Sequence, residues 1–341
     1  MLINKKNIET NHSIKIGVDN HDHLLNMRID KLTIVTTIIT KKSKMDIYRK
    51  LSILCVTKNK HYKIVRKRLR YKNPYNKSLK ISYKKRNQAM LLHISYEPKH
   101  QNTGELRMDF RPQNFKYNEM NDFVNWLKVR LGCQFKESIS NAWLTQVDVA
   151  LDIYNCKLND YIWGFKRSGK NKCYDTKNGL PGIKMGSSRS KLHALCYEKI
   201  DATKLSDTIK ITKAKFINLS PSKHSHFLRI EMRFRPNMKP KETSSNTGIC
   251  DTLLRMENVF QRIQVYSKEI IPILIKDEFI KIEKNESSIV TIKNKILKET
   301  GSYTLPRKYK RIIKKYNVNL FDMNAIWREW HQCVSHLGNA L

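Results

Sequence analysis

The stretch Ala142–Tyr154 (AWLTQVDVALDIY) narrows most what this chain can fold into. From Val147 to Ile153 apolar residues alternate strictly with others, so Val147, Val149, Leu151 and Ile153 share one face of a strand. Asp148 and Asp152 are an even number of residues apart, which puts both carboxylates on the opposite face with Ala150 between them. Two-faced strands of this kind build antiparallel sheets. Met90–Glu97 (MLLHISYE) reads as another strand. Glu105–Arg111 (ELRMDFR) points Leu106, Met108 and Phe110 one way and Arg107, Asp109 and Arg111 the other, and Phe227–Arg235 (FLRIEMRFR) alternates again. Leu32–Thr40 is rich in β-branched residues. Ile183–Gly186 and Leu192–Ile200 read as a hairpin around Ser187–Lys191.

Helical spacing appears between and after these strands. Met120, Phe123, Val124, Leu127 and Leu131 predict a helix from about Asn118 to Leu131. After Pro240, Ile249, Leu253, Met256, Phe260 and Ile263 step by four and three, predicting a helix over about Thr247–Tyr266. Near the end, Leu305, Tyr309, Ile312, Ile313 and Tyr316 share one face, while Arg307, Lys308, Lys310, Arg311, Lys314 and Lys315 cover the rest; a last helix begins at the cap Asp322. No internal repeat is visible. The expected class is α+β: a mobile arm over 1–28, an antiparallel-sheet domain over 29–240, and a helical C-terminal part over 241–341.

Charge decides the partner class. The 341 residues carry 66 Lys+Arg against 30 Asp+Glu, a net charge of +36. A folded chain with that excess repels itself unless a polyanion shares its surface. Nucleic acid is the expected partner, because Lys and Arg displace counterions condensed on phosphates. An acidic membrane would call for one polybasic block beside an anchor, but the basic residues run through the whole chain, and no run of about 18 apolar residues occurs. Lys58–Lys85 is densest in Lys, Arg and Tyr, either as a DNA-facing hairpin or as a solvated face. Seven scattered cysteines without a Cys-x-x-Cys, and a polar Met1–Asn11, fit a cytoplasmic protein.

Two carboxylates on one face of a strand repel each other unless something positive joins them. A divalent cation would do so, and oxygen ligands suit Mg²⁺ or Mn²⁺. Glu231, between Arg229 and Arg233, completes the set if its strand pairs with that of Asp148 and Asp152. Such acids also commonly pair with arginines at a sheet surface. Tyr197, on the same strand face as Leu195 and Lys199, is a candidate nucleophile for a phosphodiester, with a metal or Lys199 holding the phosphate; packing is the more common use of a strand tyrosine. The turn Gly186-Ser187-Ser188-Arg189-Ser190-Lys191 offers hydroxyls and two cations to a phosphate. His21-Asp22-His23 and His224-Ser225-His226 have polar middle residues, unlike the histidine–hydrophobic–histidine metal motif of many nicking enzymes.

Together and in this order, these residues resemble the replication initiators of small rolling-circle plasmids of Gram-positive bacteria and the mobile-element relaxases that share their domain. The resemblance rests on Ile29-Asp30-Lys31-Leu32-Thr33, Val147-Asp148-Val149-Ala150-Leu151-Asp152, Ile183–Ser190, Cys196-Tyr197-Glu198-Lys199 and Leu228-Arg229-Ile230-Glu231-Met232-Arg233, spread over roughly residues 29 to 330. It implies an antiparallel-sheet nicking domain without the paired histidines. It also implies a metal-dependent, dimeric enzyme that opens one strand of an origin hairpin and stays joined to the 5′ end through tyrosine, with a host helicase as partner. Carried over, Tyr197 is the nucleophile and Lys199 neutralises charge. Asp148, Asp152 and Glu231 are metal ligands. Ser187, Arg189, Lys191, Arg229 and Arg233 contact DNA, and Arg307, Lys310, Arg311 and Lys314 are candidate origin readers. A mobilisation relaxase of the same chemistry and a non-catalytic DNA-binding copy-control protein share most of these features.

Overall fold

The computed structural model describes residues 13–38, 40–69, 71–84, 89–115, 119–176, 179–201, 225–236, 248–276 and 280–337. Its strands are β1 (Ser13–Val18), β2 (Leu24–Thr36), β3 (Tyr62–Arg66), β4 (Tyr75–Tyr83), β5 (Met90–Pro98), β6 (Leu106–Phe110), β7 (Trp143–Tyr154), β8 (Tyr161–Phe165), β9 (Asn171–Asp175), β10 (Pro181–Met185), β11 (Leu192–Asp201), β12 (His226–Phe234) and β13 (Ile263–Ser267). The helices are α1 (Lys41–Leu54), α2 (Glu119–Leu131), α3 (Cys133–Ser140), α4 (Ile249–Leu254), α5 (Ile270–Ile275), α6 (Ile289–Glu299), α7 (Arg307–Lys315), α8 (Met323–Arg328) and α9 (Trp330–Ser335). The class is α+β, as the alternation implies.

Among the described residues eleven strands form one antiparallel sheet, in the order β3-β4-β5-β6-β2-β7-β12-β11-β10-β9, with β1 added to the first part of β2. Period two sorts its residues. Met27, Ile29, Met108, Val149, Leu151, Ile230 and Cys196 turn into the core, and the acids and arginines turn to the other face. A bulge at Ile29/Lys31 breaks this rule to useful effect: an extra residue in β2 lets Asp30 and Lys31, neighbours in sequence, both serve the polar face.

The sheet is built twice. β2 is followed by a helix and a meander, β3 to β6, whose last strand returns to pair with β2; β7 is followed by the β8 insertion and a meander, β9 to β12, whose last strand returns to pair with β7. β2 and β7 lie side by side and antiparallel at the centre. The returning strands carry one pattern, Leu106-Arg107-Met108-Asp109-Phe110-Arg111 over β6 and the residue after it and Leu228-Arg229-Ile230-Glu231-Met232-Arg233 in β12. This corrects the expectation of no repeat. The shared pattern is six residues long, too short to stand out before the strand order gives it weight.

Helices cover the apolar face. Phe123, Val124 and Leu127 of α2 and Ile47 and Leu51 of α1 pack in the main core, as does Trp330 of α9, whose indole N–H donates to Leu253 O at 2.7 Å. A second cluster joins Ile162 of β8 and Tyr266 of β13 to Ile270 and Leu274, Ile292 and Ile296, and Tyr309 and Ile313.

Several expectations change. Residues 13–28 are not an arm, because Leu25 and Met27 alternate into the core and extend β2 backwards; residues 1–12 lie outside the described set. The single helix over Thr247–Tyr266 becomes α4, a 3-10 turn and β13. Asn258 ends the helical run by accepting from Phe260 N, and Ile263–Ser267 then pairs with β8. That pairing ties the C-terminal part to a strand from the sheet half, so the part is not purely helical; residues 237–247, where the boundary was placed, are outside the described set. Helix α7 packs in the second cluster, while Ile326 of the Asp322-capped helix packs in the main core. No helix among the described residues is long and apolar enough to cross a membrane.

Candidate active site

Register builds the site. β12 lies between β7 and β11, so Tyr197, Arg229 and Asp152 form one row across the polar face; Leu195, Glu231 and Ala150 form the next; His193, Arg233 and Asp148 form the third. Tyr197 therefore sits one row from Glu231, and its phenol donates to Glu231 Oε2 at 3.0 Å. Gly182 of β10 faces Tyr197; a Cβ there would lie 2.9 Å from that of Tyr197 and 2.8 Å from the ring of Tyr174, so glycine leaves room for both side chains over it.

Arg233 binds the acids of the second and third rows together. Its Nε donates to Glu231 Oε1 at 2.8 Å and lies 3.5 Å from Asp148 Oδ2. Asp148 also accepts from Gln146 Nε2 at 2.6 Å. Burial and then the charge of Glu231 raise the Asp148 acid above the usual carboxylate range. Burial likewise leads in raising the Tyr197 phenol well above its ordinary value, with Glu231 adding to it. In this state the phenol is protonated, and Glu231 is the group placed to take its proton.

Beneath the tyrosine lies a buried charge ladder. Arg229, fully buried, donates from Nε and Nη2 to the two oxygens of Asp152 at 2.5 and 2.8 Å, and from Nη1 to Asp30 Oδ1 at 2.5 Å. Arg28 Nε is 2.8 Å from Asp152 Oδ2 without the alignment of a hydrogen bond, and its three side-chain nitrogens find no acceptor among the described residues. Lys199 Nζ stands 3.9 Å from Asp30 Oδ1. Burial, then Arg229, lower the Lys199 amine to about 8. Burial alone would raise Asp30 and Asp152, but the surrounding cations outweigh it and hold both carboxylates low.

The geometry divides the residues named from sequence. Tyr197, Glu231, Asp148 and Arg233 come together, while Lys199 stands with Asp30 in the buried ladder. Asp152 does not join Asp148 and Glu231 as a ligand, because both of its oxygens are taken by Arg229. Arg229 is not an exposed DNA contact, because it is fully buried between Asp152 and Asp30. Among the described residues no group of three or more His, Cys, Asp or Glu is placed to hold a metal ion. Asp148 and Glu231 remain as a carboxylate pair whose mutual repulsion a cation relieves, the position Arg233 now shares. Ser187, Arg189 and Lys191 are exposed on the β10–β11 turn, entered through Gly186 at φ 89°, a backbone angle that favours glycine. Ser187 and Lys191 line a cavity of about 380 Å³ with Lys166, Arg167, Lys170 and Arg262. Arg307, Lys310, Arg311 and Lys314 are exposed on α7, which is not part of this face. Sequence reading missed the roles of Asp30, Gly182 and Gln146. Asp30 lies within a quoted motif, but only the bulge shows that it turns to the polar face.

No protein-family model matches the chain, and no curated protein matches it. Among solved structures it is similar to the rolling circle replication initiator protein from Geobacillus stearothermophilus, at 12% identity over 85% of this chain and 96% of that one, with a TM-score of 0.33.

Proposed function

We propose that this chain is a rolling-circle replication initiator that nicks and rejoins one DNA strand through Tyr197. The observation that carries the reading is the Tyr197–Glu231 hydrogen bond on a sheet face lined with cations, in a chain of net charge +36. The ordered motif set described from the sequence supports the same reading. Tyr197 Oη gives its proton to Glu231 Oε2 and attacks the scissile phosphorus in line. The bond to the leaving 3′ oxygen breaks, leaving a 5′-phosphotyrosine and a 3′ oxygen that takes up a proton. The ester conserves the bond energy, so the reverse attack by a 3′-hydroxyl rejoins the strand. Arg229, held at fixed height by Asp152 and Asp30, stabilises the developing phenolate, and Lys199 offsets charge on the phosphate. Mg²⁺ or Mn²⁺, held by Asp148 and Glu231, would supply further charge neutralisation at the phosphate oxygens. Asp152 supports Arg229 instead. A dimer acting with a host helicase in the bacterial cytoplasm completes the proposal, by resemblance.

Incubation with supercoiled DNA of its own replicon and Mg²⁺ or Mn²⁺, followed by denaturation and peptide mapping, tests it. A DNA fragment on the Tyr197 peptide is expected. Tyr197→Phe should abolish that adduct while changing DNA affinity less than about two-fold, since one phenol adds little to a many-phosphate contact. An adduct on another residue, or none with the wild type, overturns the reading; DNA binding without an adduct would leave the non-catalytic alternative.

A further inference from the structure

The doubled sheet gives the Tyr197 site a counterpart. Asp109 faces Thr33 on β2 and His93 on β5; Glu231 faces Ala150 on β7 and Leu195 on β11. Thr33 therefore corresponds to Ala150. Two residues earlier on each strand Lys31 corresponds to Asp148, and these two are paired with each other across β2 and β7. The pair Thr33–Gln146 likewise maps onto Ala150–Arg28 once the bulge at Asp30 is counted. The register thus maps onto itself about an axis through Lys31 and Asp148, perpendicular to the sheet. Ser95, which faces Arg107, stands where Tyr197 faces Arg229.

The counterpart has the place of the site and a different chemistry. Asp109 accepts from Thr33 Oγ1 at 2.6 Å, lies 3.1 Å from Lys31 Nζ, accepts from Arg107 Nη2 at 3.2 Å, and is 3.7 Å from His93 Nδ1. Where Glu231 has a second carboxylate beside it, Asp109 has Lys31. Lys80 of β4, facing His93, extends the cationic surface, and it forms no ion pair among the described residues. Arg107 and Lys80 keep part of their surface in solvent. Among the described residues no phenol donates to Asp109 as Tyr197 does to Glu231, and the cluster holds more positive than negative groups and no carboxylate pair to hold a metal ion. It suits a phosphate that is bound and left intact.

We propose that the Asp109 cluster grips a backbone phosphate of the second strand when a DNA duplex stem lies across the sheet, while the Tyr197 site engages the strand to be cut. The proposal deepens the nicking reading and rests on it for the role of the first strand. Three strand spacings of about 4.8 Å and an offset of four residues separate Glu231 from Asp109 by roughly 20 Å. The strands of a duplex are antiparallel and related by two-fold axes, so a surface with its own two-fold offers equivalent contacts to both, as symmetric DNA-binding proteins do. Here one contact is reactive and the other is not.

Lys80→Glu and Arg107→Glu test this, with Lys136→Glu on α3, in the helical layer, as the charge-matched control. The probes are a fluorescein-labelled hairpin of random sequence with a stem of about two helical turns, and a single strand of the same length. Anisotropy titrations at several salt concentrations should show each sheet variant losing about ten-fold or more on the hairpin, with the salt slope reduced by about one. Single-strand affinity, and adduct formation with single-stranded DNA of its own replicon, should change less than two-fold, and Lys136→Glu should leave hairpin affinity and its salt slope unchanged. Lys80→Glu leaves every hydrogen bond to Asp109 in place, so an unchanged melting curve separates lost contact from misfolding. Equal losses on both probes, or an unchanged hairpin affinity, overturn the proposal. Failure of the wild type to form any adduct with DNA of its own replicon overturns the nicking reading and still leaves the hairpin comparison readable.

Discussion

Glu231 and Asp109 occupy corresponding places in the two halves of one sheet, and their neighbours give them opposite electrostatics. Glu231 shares Arg233 with Asp148, receives the Tyr197 phenol, and raises the acids around it. Asp109 is surrounded by Lys31, Arg107, His93 and Thr33; burial alone would raise it, and these donors together hold it well below the usual carboxylate range. The same strand pattern thus yields a reactive centre in one half and a quenched ion cluster in the other. A strand pattern places an acid on a face, and the residues opposite it on the neighbouring strands decide whether it is an acid–base group or an anchor.

The largest contrast is expected in stability. Arg229→Met removes the guanidinium that donates to both oxygens of Asp152 and to Asp30, and leaves the two buried carboxylates with only the less aligned Arg28, Arg111 and Lys199, at a cost of about 3–5 kcal/mol in urea unfolding. Arg107→Met, on a partly exposed group in the other half, should cost less than about 1 kcal/mol. Similar losses would break the comparison. Next comes rate. Glu231→Gln should slow nicking on the order of 100-fold or more, the usual contribution of a proton acceptor, whereas Asp109→Asn should leave single-strand cleavage within about three-fold.

A smaller effect has opposite signs in the two halves. Asp148 is raised above its unfolded pKa, so its burial opposes folding once the unfolded chain can ionise: the cost is absent below about pH 4, near the unfolded value, grows as pH rises from there, and levels off above the folded value of about 7. Asp148→Asn should therefore stabilise the ion-free protein by about 1–3 kcal/mol at pH 7 and not at pH 3. Asp109 is lowered, so its charge contributes stability above the unfolded pKa that is lost as pH falls. Asp109→Asn should destabilise at pH 7. Thermal melts across pH decide the signs, and equal signs would refute the contrast. The smallest effect belongs to Lys199. With its amine lowered to about 8, kcat/KM for nicking, which reports the free enzyme's groups, should gain a descending limb near pH 8. Lys199→Arg should move that limb upward.

Much of this was legible in the sequence. Alternation identified β6, β7 and β12, sorted Asp148, Asp152 and Glu231 onto polar faces and put Tyr197 on one face with Lys199, because period two is a local property of the chain. It failed where local signals compete. Residues 13–28 looked too polar to pack, and the spacing from Ile249 to Ile263 suited a helix until Asn258 and the partner strand β8 decided otherwise. Partnership across strands was not legible. The sequence alone gave three candidate acids with Asp148 and Glu231 foremost, and only register assigned Asp152 to Arg229 and left Asp148 with Glu231.

What the sequence determined by itself is the α+β class, the surplus of positive charge, and the faces on which its chemical groups lie. The tertiary structure alone decided that the sheet is one unit built twice, that Asp30 and Gly182 belong to the site, and that Tyr197 meets Glu231 instead of a solvated surface. The reason is physical: the direction of a side chain follows from its own backbone, but its electrostatics depend on strands distant in the chain, from a separation of 34 for Tyr197 and Glu231 to 199 for Arg229 and Asp30.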